Sequence, residues 1–222
     1  VVSPTAHFCM GGVIIDKNAE TSVPGLFAAG EVGAGIHGAN RLAGNALCEV
    51  FTMGHIAGRG AAQRLGEMGT PRMPRDEIAA EKARLESLFI HGRQGPKTLA
   101  RSLKEVMWQK AGIVRHRDSL EEVLQRIEAF RSPDSKFQVT KWTQLIRYLE
   151  FQNMLLISEM VCRAALLRTE SRGSHYRSDY PAEENDHWLK NIVLHKGDSG
   201  MRLESVPVSL GVVVPEEGEQ RA

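Results

Sequence analysis

Glycine is crowded into one end of this chain: thirteen of its 21 glycines fall between residues 11 and 69, and charged residues become dense only after Arg72. A backbone so rich in residues without a Cβ favours tight turns and close approaches over long regular elements. Beyond it, apolar residues recur at the three- and four-residue spacing of helices. Gly69-Thr70-Pro71 and Pro74 punctuate the change. The chain therefore divides into residues 1–72, a helical part over 73–172 and an irregular tail over 173–222. A length of 222 residues allows one large domain or two small ones with a real core.

Upstream of the boundary, Gly12 to Asp16 reads as a short strand, and Gly25 to Gly30 reads as a buried strand ending in glycine. The spacing predicts a helix from Asn45 to about Leu65. Its small residues Gly54, Ala57, Gly58, Ala61 and Ala62 would let it approach another backbone or a planar ligand. Downstream, helices are predicted over Asp76 to Phe89, with Ile78, Leu85, Leu88 and Phe89 on one side, and over Lys97 to Gly112, with Pro96 at the start. A third helix runs from Ser119 to Phe130, with Ser119 as N-cap and Glu122 completing a capping box. The longest covers Thr140 to about Thr169. The tail carries short strands at Ile192 to Leu194 and Leu203 to Val208, and frays over Glu216 to Ala222.

Composition excludes several classes of function. The formal net charge is +1 and the charges are interleaved, so the clustered basic excess of a nucleic-acid binder is missing. Cys9, Cys48 and Cys162 form no C-x-x-C pair, so neither a disulfide framework nor a metal site is expected. They fit a reducing, cytoplasmic compartment. No run of about 18 apolar residues exists for direct membrane insertion. Val1-Val2-Ser3-Pro4 lacks an initiator Met and a signal-peptide pattern, which reads as a chain beginning inside a larger protein.

The densest chemistry lies in Pro4-Thr5-Ala6-His7-Phe8-Cys9-Met10-Gly11-Gly12, in Gly30-Glu31, and in the stretch from His37 through Arg41 and Asn45 to Leu47. An imidazole and a guanidinium stand on glycine-flanked loops near a helix start. Arginine presents a planar fork suited to a carboxylate. The helix opening at Asn45 directs free N–H groups outward, where negative charge is stabilised. Singly, each residue has a plain structural reading: a loop histidine, a surface ion pair for Arg41, a strand-end charge for Glu31. Gly33-x-Gly35-x-x-Gly38 matches a dinucleotide fingerprint by letter only, since no helix opens behind it and no acid lies about 20 residues on. A cysteine hydrolase built on His7 and Cys9 lacks an evident orienting group.

Taken together, the strings P-T-A-H-[FY]-x-M-G-G, G-E and H-G-A-N-R-L-x-x-N-x-L resemble the flavoprotein subunits of succinate dehydrogenase and fumarate reductase, with L-aspartate oxidase as a relative. The resemblance continues through Met107 to Arg115, Glu170 to Pro181 and Trp188-Leu189-Lys190, and so spans the chain to about residue 196. It implies a fold of the α/β plus all-α class: the C-terminal piece of an FAD-binding α/β domain, then a helical bundle and an irregular tail.

The same resemblance implies that His7 and Arg41 each bind a carboxylate of a C4 dicarboxylate. Glu31 would accept from the ribityl hydroxyls of FAD, and Asn45, Ala46 and Leu47 would face the isoalloxazine. No catalytic residue and no metal ligand is assigned within this stretch. The phosphate-binding βαβ unit, the capping domain with its proton-donating arginine and the histidine that bonds covalently to FAD in many members would lie elsewhere. The chain alone is therefore expected to bind FAD weakly and to turn nothing over. The implied partners are a membrane-anchored electron carrier and an iron–sulfur subunit, with a cytoplasmic or peripheral inner-face location. Two alternatives stay open: an L-aspartate oxidase, against which Trp188-Leu189-Lys190 leans, and a helical module that docks an iron–sulfur partner. The segment Arg172 to Tyr180 reads as structural or interfacial, with contact of its basic residues to an iron–sulfur partner as the alternative.

Overall fold

The computed structural model describes residues 7–67, 69, 73–92, 94–132, 137–198 and 200–209. The expectations for Val1 to Ala6 and for Glu216 to Ala222 lie outside them. Two compact units are present, Val1–Pro74 and Arg75–Ala222.

The N-terminal unit is a framework of turns against one helix, α1 (Asn45–Glu67). The predicted strands are single bridges instead: Val13 with Gly33, Ile15 with Thr21, and Glu20 with Phe27. The reason is local. The Asp16 carboxylate accepts from the N–H groups of Asn18 and Glu20 at 2.8 and 2.9 Å, and this turn reverses the chain before a ladder can extend. The segment from Gly25 to Gly30 is not a buried strand either, because Leu26 is 53% exposed. It leads into a 3-10 turn, Gly30–Val32. Gly12 allows the closest approach in this framework, for a Cβ there would sit 2.1 Å from the Val32 carbonyl oxygen.

Helix α1 forms where the spacing predicts it, but its small residues are used differently. Gly54 and Gly58 meet nothing within 4 Å among the described residues, whereas a Cβ on Gly60 would strike the Phe27 ring at 2.8 Å. The close contact of this helix is therefore with its own unit's turn framework.

The second unit is helical, with a long central helix. Its elements are α2 (Arg75–Ser87), α3 (Pro96–Lys110), β1 (Val114–Arg115), α4 (Arg117–Arg131), α5 (Trp142–Leu167), β2 (Tyr176–Arg177), α6 (Asn185–Trp188), β3 (Lys190–Gly197) and β4 (Gly200–Pro207). Helix α5 places Leu145, Tyr148, Phe151, Leu155, Cys162 and Ala165 in the core. Steps of three and four residues keep these side chains on one stripe. Against them pack Leu99 and Leu103 of α3 and Leu120, Val123 and Ile127 of α4. Helix α2 contributes only its C-terminal end, through Leu85, with Leu88 and Phe89 just beyond it. Ile78 is exposed, contrary to its assignment to the apolar side.

The cap of α4 also differs from expectation. The helix begins two residues earlier, with His116 as N-cap: Ser119 N–H donates to His116 Nδ1, and His116 N–H donates to Ser119 Oγ, both at 3.3 Å. Ser119 is thus the third helical residue. Glu122 is drawn away to Lys110 at 2.7 Å and takes no part in the cap.

The tail holds more order than the irregular reading predicted. Strands β3 and β4 form an antiparallel hairpin in continuous register from Lys190↔Pro207 to Gly197↔Gly200, and β1 pairs with β2 in parallel. An ion network ties this region to the helices. Arg177, fully buried, donates through Nε and Nη2 to both oxygens of Asp179 at 2.8 and 2.6 Å. Its Nη1 donates to the carbonyls of Ala165 and Arg168, which closes the open C-terminal end of α5. Glu170, also fully buried, accepts from Arg168, from Arg172 and from the Glu184 N–H. Burial pushes the Glu170 carboxyl up, but these donors outweigh it and hold the group below its ordinary value. Arg115 closes the end of α3 in a similar way, donating from Nε to Gly112 O at 2.9 Å and from Nη1 to His175 Nδ1 at 3.0 Å.

Candidate functional site

The residues singled out for chemistry collect around the entry to α1. Gly44, at φ +87°, turns the chain into the helix, and Asn45 and Leu47 are exposed on its first turn while Ala46 is half-buried. No acidic residue occupies that turn, so its unpaired N–H groups keep their positive character. Glu31 is exposed in the 3-10 turn, and its Oε1 accepts from the Cys9 N–H at 2.9 Å. This bond ties the strand of residues after His7 to the turn that carries the carboxylate.

Arg41 is half-buried, with its guanidinium carbon 4.6 Å from the centroid of the Phe8 ring. Nη1 donates to the Leu42 carbonyl at 3.3 Å. Nε is buried and finds no hydrogen-bond partner among the described residues. A buried guanidinium N–H without an acceptor is costly. His7 precedes the stacked Phe8 directly and is exposed. The fold therefore brings the residue next to His7 onto Arg41 and ties Glu31 to Cys9. It does not bond the His7 imidazole to the Arg41 guanidinium, whose described contacts are with Phe8 and Leu42.

Two further residues stand out: Glu49, which the sequence did not single out, and His37, which entered only as the first residue of a motif with no role assigned. His37 Nε2 and Glu49 Oε2 are 2.9 Å apart, with side chains 6% and 2% exposed. The His37 ring meets Phe8 edge to face at 5.2 Å. His37 lies in the loop before α1 and Glu49 on the helix itself, so no single periodic element points to the pair.

The chemistry of this donor set suits a flat ligand with negative charge. It offers a carboxylate acceptor for hydroxyls in Glu31, an orphaned guanidinium donor in Arg41, a helix N-terminus, and exposed apolar side chains at Leu42 and Leu47. Those features fit FAD and a carboxylate substrate. Two open recesses elsewhere, between α3 and α5, are of another kind. One, of about 370 Å3, is lined by Lys97, Arg101, Lys104 and Arg147, and its neighbour by Leu103, Met107 and Ile157. Neither contains an orphaned polar atom or any residue of the predicted site. Among the described residues no cluster of metal-ligating side chains occurs, and no described helix is long and apolar enough to cross a membrane.

Comparison with known proteins bears on the whole chain. Residues 100–220 match the family model described as fumarate reductase flavoprotein C-term, and residues 1–47 match the FAD binding domain model. The chain is 41% identical over 199 residues to one of the subunits of the fumarate reductase (CoM/CoB) of Methanothermobacter marburgensis, covering 88% of this chain and 36% of that protein. It is 35% identical over 215 residues to L-aspartate oxidase of Acinetobacter baylyi, covering 94% and 37%. In three dimensions it aligns with an E. coli quinol fumarate reductase FrdA variant at a TM-score of 0.88 and 29% identity, covering 96% of this chain and 39% of that one. It thus spans little more than a third of the length of the relatives it matches. Its mixed helical and small-sheet architecture is that of the C-terminal part of such flavoproteins. The chain belongs to the FAD-containing flavoprotein family of the fumarate reductases and succinate dehydrogenases, which has L-aspartate oxidases among its relatives.

Proposed function

We propose that this chain supplies the carboxylate-binding and flavin-facing part of an oxidoreductase that interconverts succinate and fumarate. The observation that carries the reading is Arg41. Its buried Nε lacks an acceptor among the described residues while its guanidinium carbon sits over the Phe8 ring, next to His7 and at the mouth of α1. In this reading Arg41 donates to one carboxylate of the substrate and His7 to the other. Holding both ends fixes the C=C bond in one orientation, and such orientation contributes about 7–11 kcal/mol toward a barrier in favourable cases. Cationic donors on one carboxylate also draw electron density from the double bond, which stabilises negative charge as a hydride arrives at the far carbon.

FAD, when bound, supplies the two-electron exchange at its N5 atom. Glu31 would accept from the ribityl hydroxyls, and the first turn of α1, at Asn45, Ala46 and Leu47, would lie against the ring and stabilise its reduced, anionic form. No proton donor is assigned within this chain, and by itself it is expected to retain little FAD. The partners proposed are a membrane-anchored electron carrier and an iron–sulfur subunit, which would place the protein at the inner face of the membrane. An L-aspartate oxidase would clamp the same two carboxylates, and the 35% identity to such an enzyme keeps that substrate in the test.

The test is a substrate comparison on the whole FAD-loaded protein. Succinate or fumarate turnover is expected, with kcat/KM falling by about 2–5 kcal/mol in transition-state terms for Arg41→Gln. Turnover of aspartate alone would transfer the assignment to the oxidase branch. Full activity in Arg41→Gln would remove the reading of the site.

A further inference from the structure

Four side chains of the N-terminal unit form one connected chain of contacts, and the reading above uses only Arg41 and Phe8. Glu49, at the start of the second turn of α1, is bonded to His37 at 2.9 Å. His37 lies edge to face with Phe8, and Phe8 carries the Arg41 guanidinium over its ring. A buried pair of this type adds little net stability, because desolvation offsets the attraction; where it is retained, a role in fixing geometry is the natural one to test. Here the His37 and Glu49 side chains, 6% and 2% exposed, join the loop before Asn45 to α1.

We propose that the Glu49–His37 pair is a positioning device for the substrate-binding arginine: it orients Phe8, and Phe8 sets the plane and reach of Arg41. The inference rests on the reading of Arg41 given above. Stacking on an aromatic face leaves the in-plane N–H groups of a guanidinium free to meet a carboxylate. A ring released from His37 would let that plane tilt, and orientation would be lost while charge was kept. Glu49 and His37 are positioning residues in this scheme and touch neither substrate nor flavin.

The experiment uses the whole FAD-loaded flavoprotein carrying this chain. Malonate, a dicarboxylate with no C=C bond to reduce, is titrated against the absorbance of the oxidised flavin, with FAD content and thermal midpoint measured beside it. Glu49→Gln, Arg41→Lys and the double variant form a cycle. Glu49→Gln is expected to weaken malonate binding by about tenfold, to keep FAD stoichiometric, and to add nothing further on top of Arg41→Lys. Unchanged malonate binding in Glu49→Gln, or full additivity with Arg41→Lys, overturns the inference and leaves the reading of Arg41 standing. Unchanged binding in Arg41→Lys alone overturns that reading and the inference with it. Should Glu49→Gln fail to load FAD, Phe8→Leu enters the same cycle with the same expected non-additivity, because it cuts the link and spares the Glu49–His37 bond.

Discussion

Replacing Arg177 with methionine tests whether the tail is held by charge geometry or by its hairpin. The guanidinium makes two charge-assisted bonds to Asp179 and two to the carbonyls of Ala165 and Arg168. Counted singly at about 1.5–3 kcal/mol each, these four bonds would sum to about 6–12 kcal/mol, comparable with the entire stability of an ordinary domain. Two corrections bring the figure down. Folding removes Arg177 entirely from water, which opposes the gain. Asp179, moreover, keeps 30% of its side chain exposed and still accepts from the Arg117 N–H, so water and backbone replace part of what it loses. The α5 carbonyls have less recourse. The expected net loss for Arg177→Met is about 3–5 kcal/mol, the range for removing one partner of a buried pair. Urea denaturation followed by circular dichroism should show the midpoint falling with the slope unchanged. Arg177→Lys, which restores charge without the planar fork, should recover only part of the loss. A methionine variant within about 1 kcal/mol of the parent would refute the argument, since the buried fork would then contribute no more than an exposed pair.

Three further outcomes are expected. Burial, with Arg115, Arg168 and Arg177 nearby, pushes the His175 imidazole down to about 4; its contribution to stability is therefore full above its ordinary value of 6.5 and is lost as pH falls from there to about 4. Denaturant midpoints measured across that window should decline in the parent and flatten in His175→Asn, and an equal slope in both would count against a neutral, half-buried ring. Leu155→Ala, in the fully buried stripe of α5, should cost about 2–5 kcal/mol in the same assay. Gly12→Ala should lower FAD retention by the whole protein, because the new methyl would sit 2.1 Å from the Val32 oxygen and displace the turn that carries Glu31; stoichiometric flavin in that variant would show that the turn can yield.

The helices of the second unit were legible because their signals are local. Steps of three and four apolar residues along α5 and Pro96 at the head of α3 specify structure within one or two turns of chain. The motif residues at His7, Glu31, Arg41 and Asn45 were legible as a set of chemical types, since a carboxylate, a guanidinium and a helix start can be named without coordinates. Register and pairing were not legible in the same way. His116 caps α4 in place of Ser119, while Glu122 bonds to Lys110 on another helix. The bridges at Val13, Ile15 and Glu20 replace strands because the tight turn at Asp16 leaves no ladder to join.

What the linear order of residues determined, then, was which segments could be helical and which side chains could meet an anion. Tertiary structure alone decided that Arg177 would close α5, that Glu170 would be buried among cations, and that Glu49 would reach His37 across twelve residues. The physical reason is range. Helix propensity and periodicity act between neighbours on the chain, whereas the strength of an ion pair or an orphaned donor depends on exclusion of water, and water is excluded by residues distant in sequence.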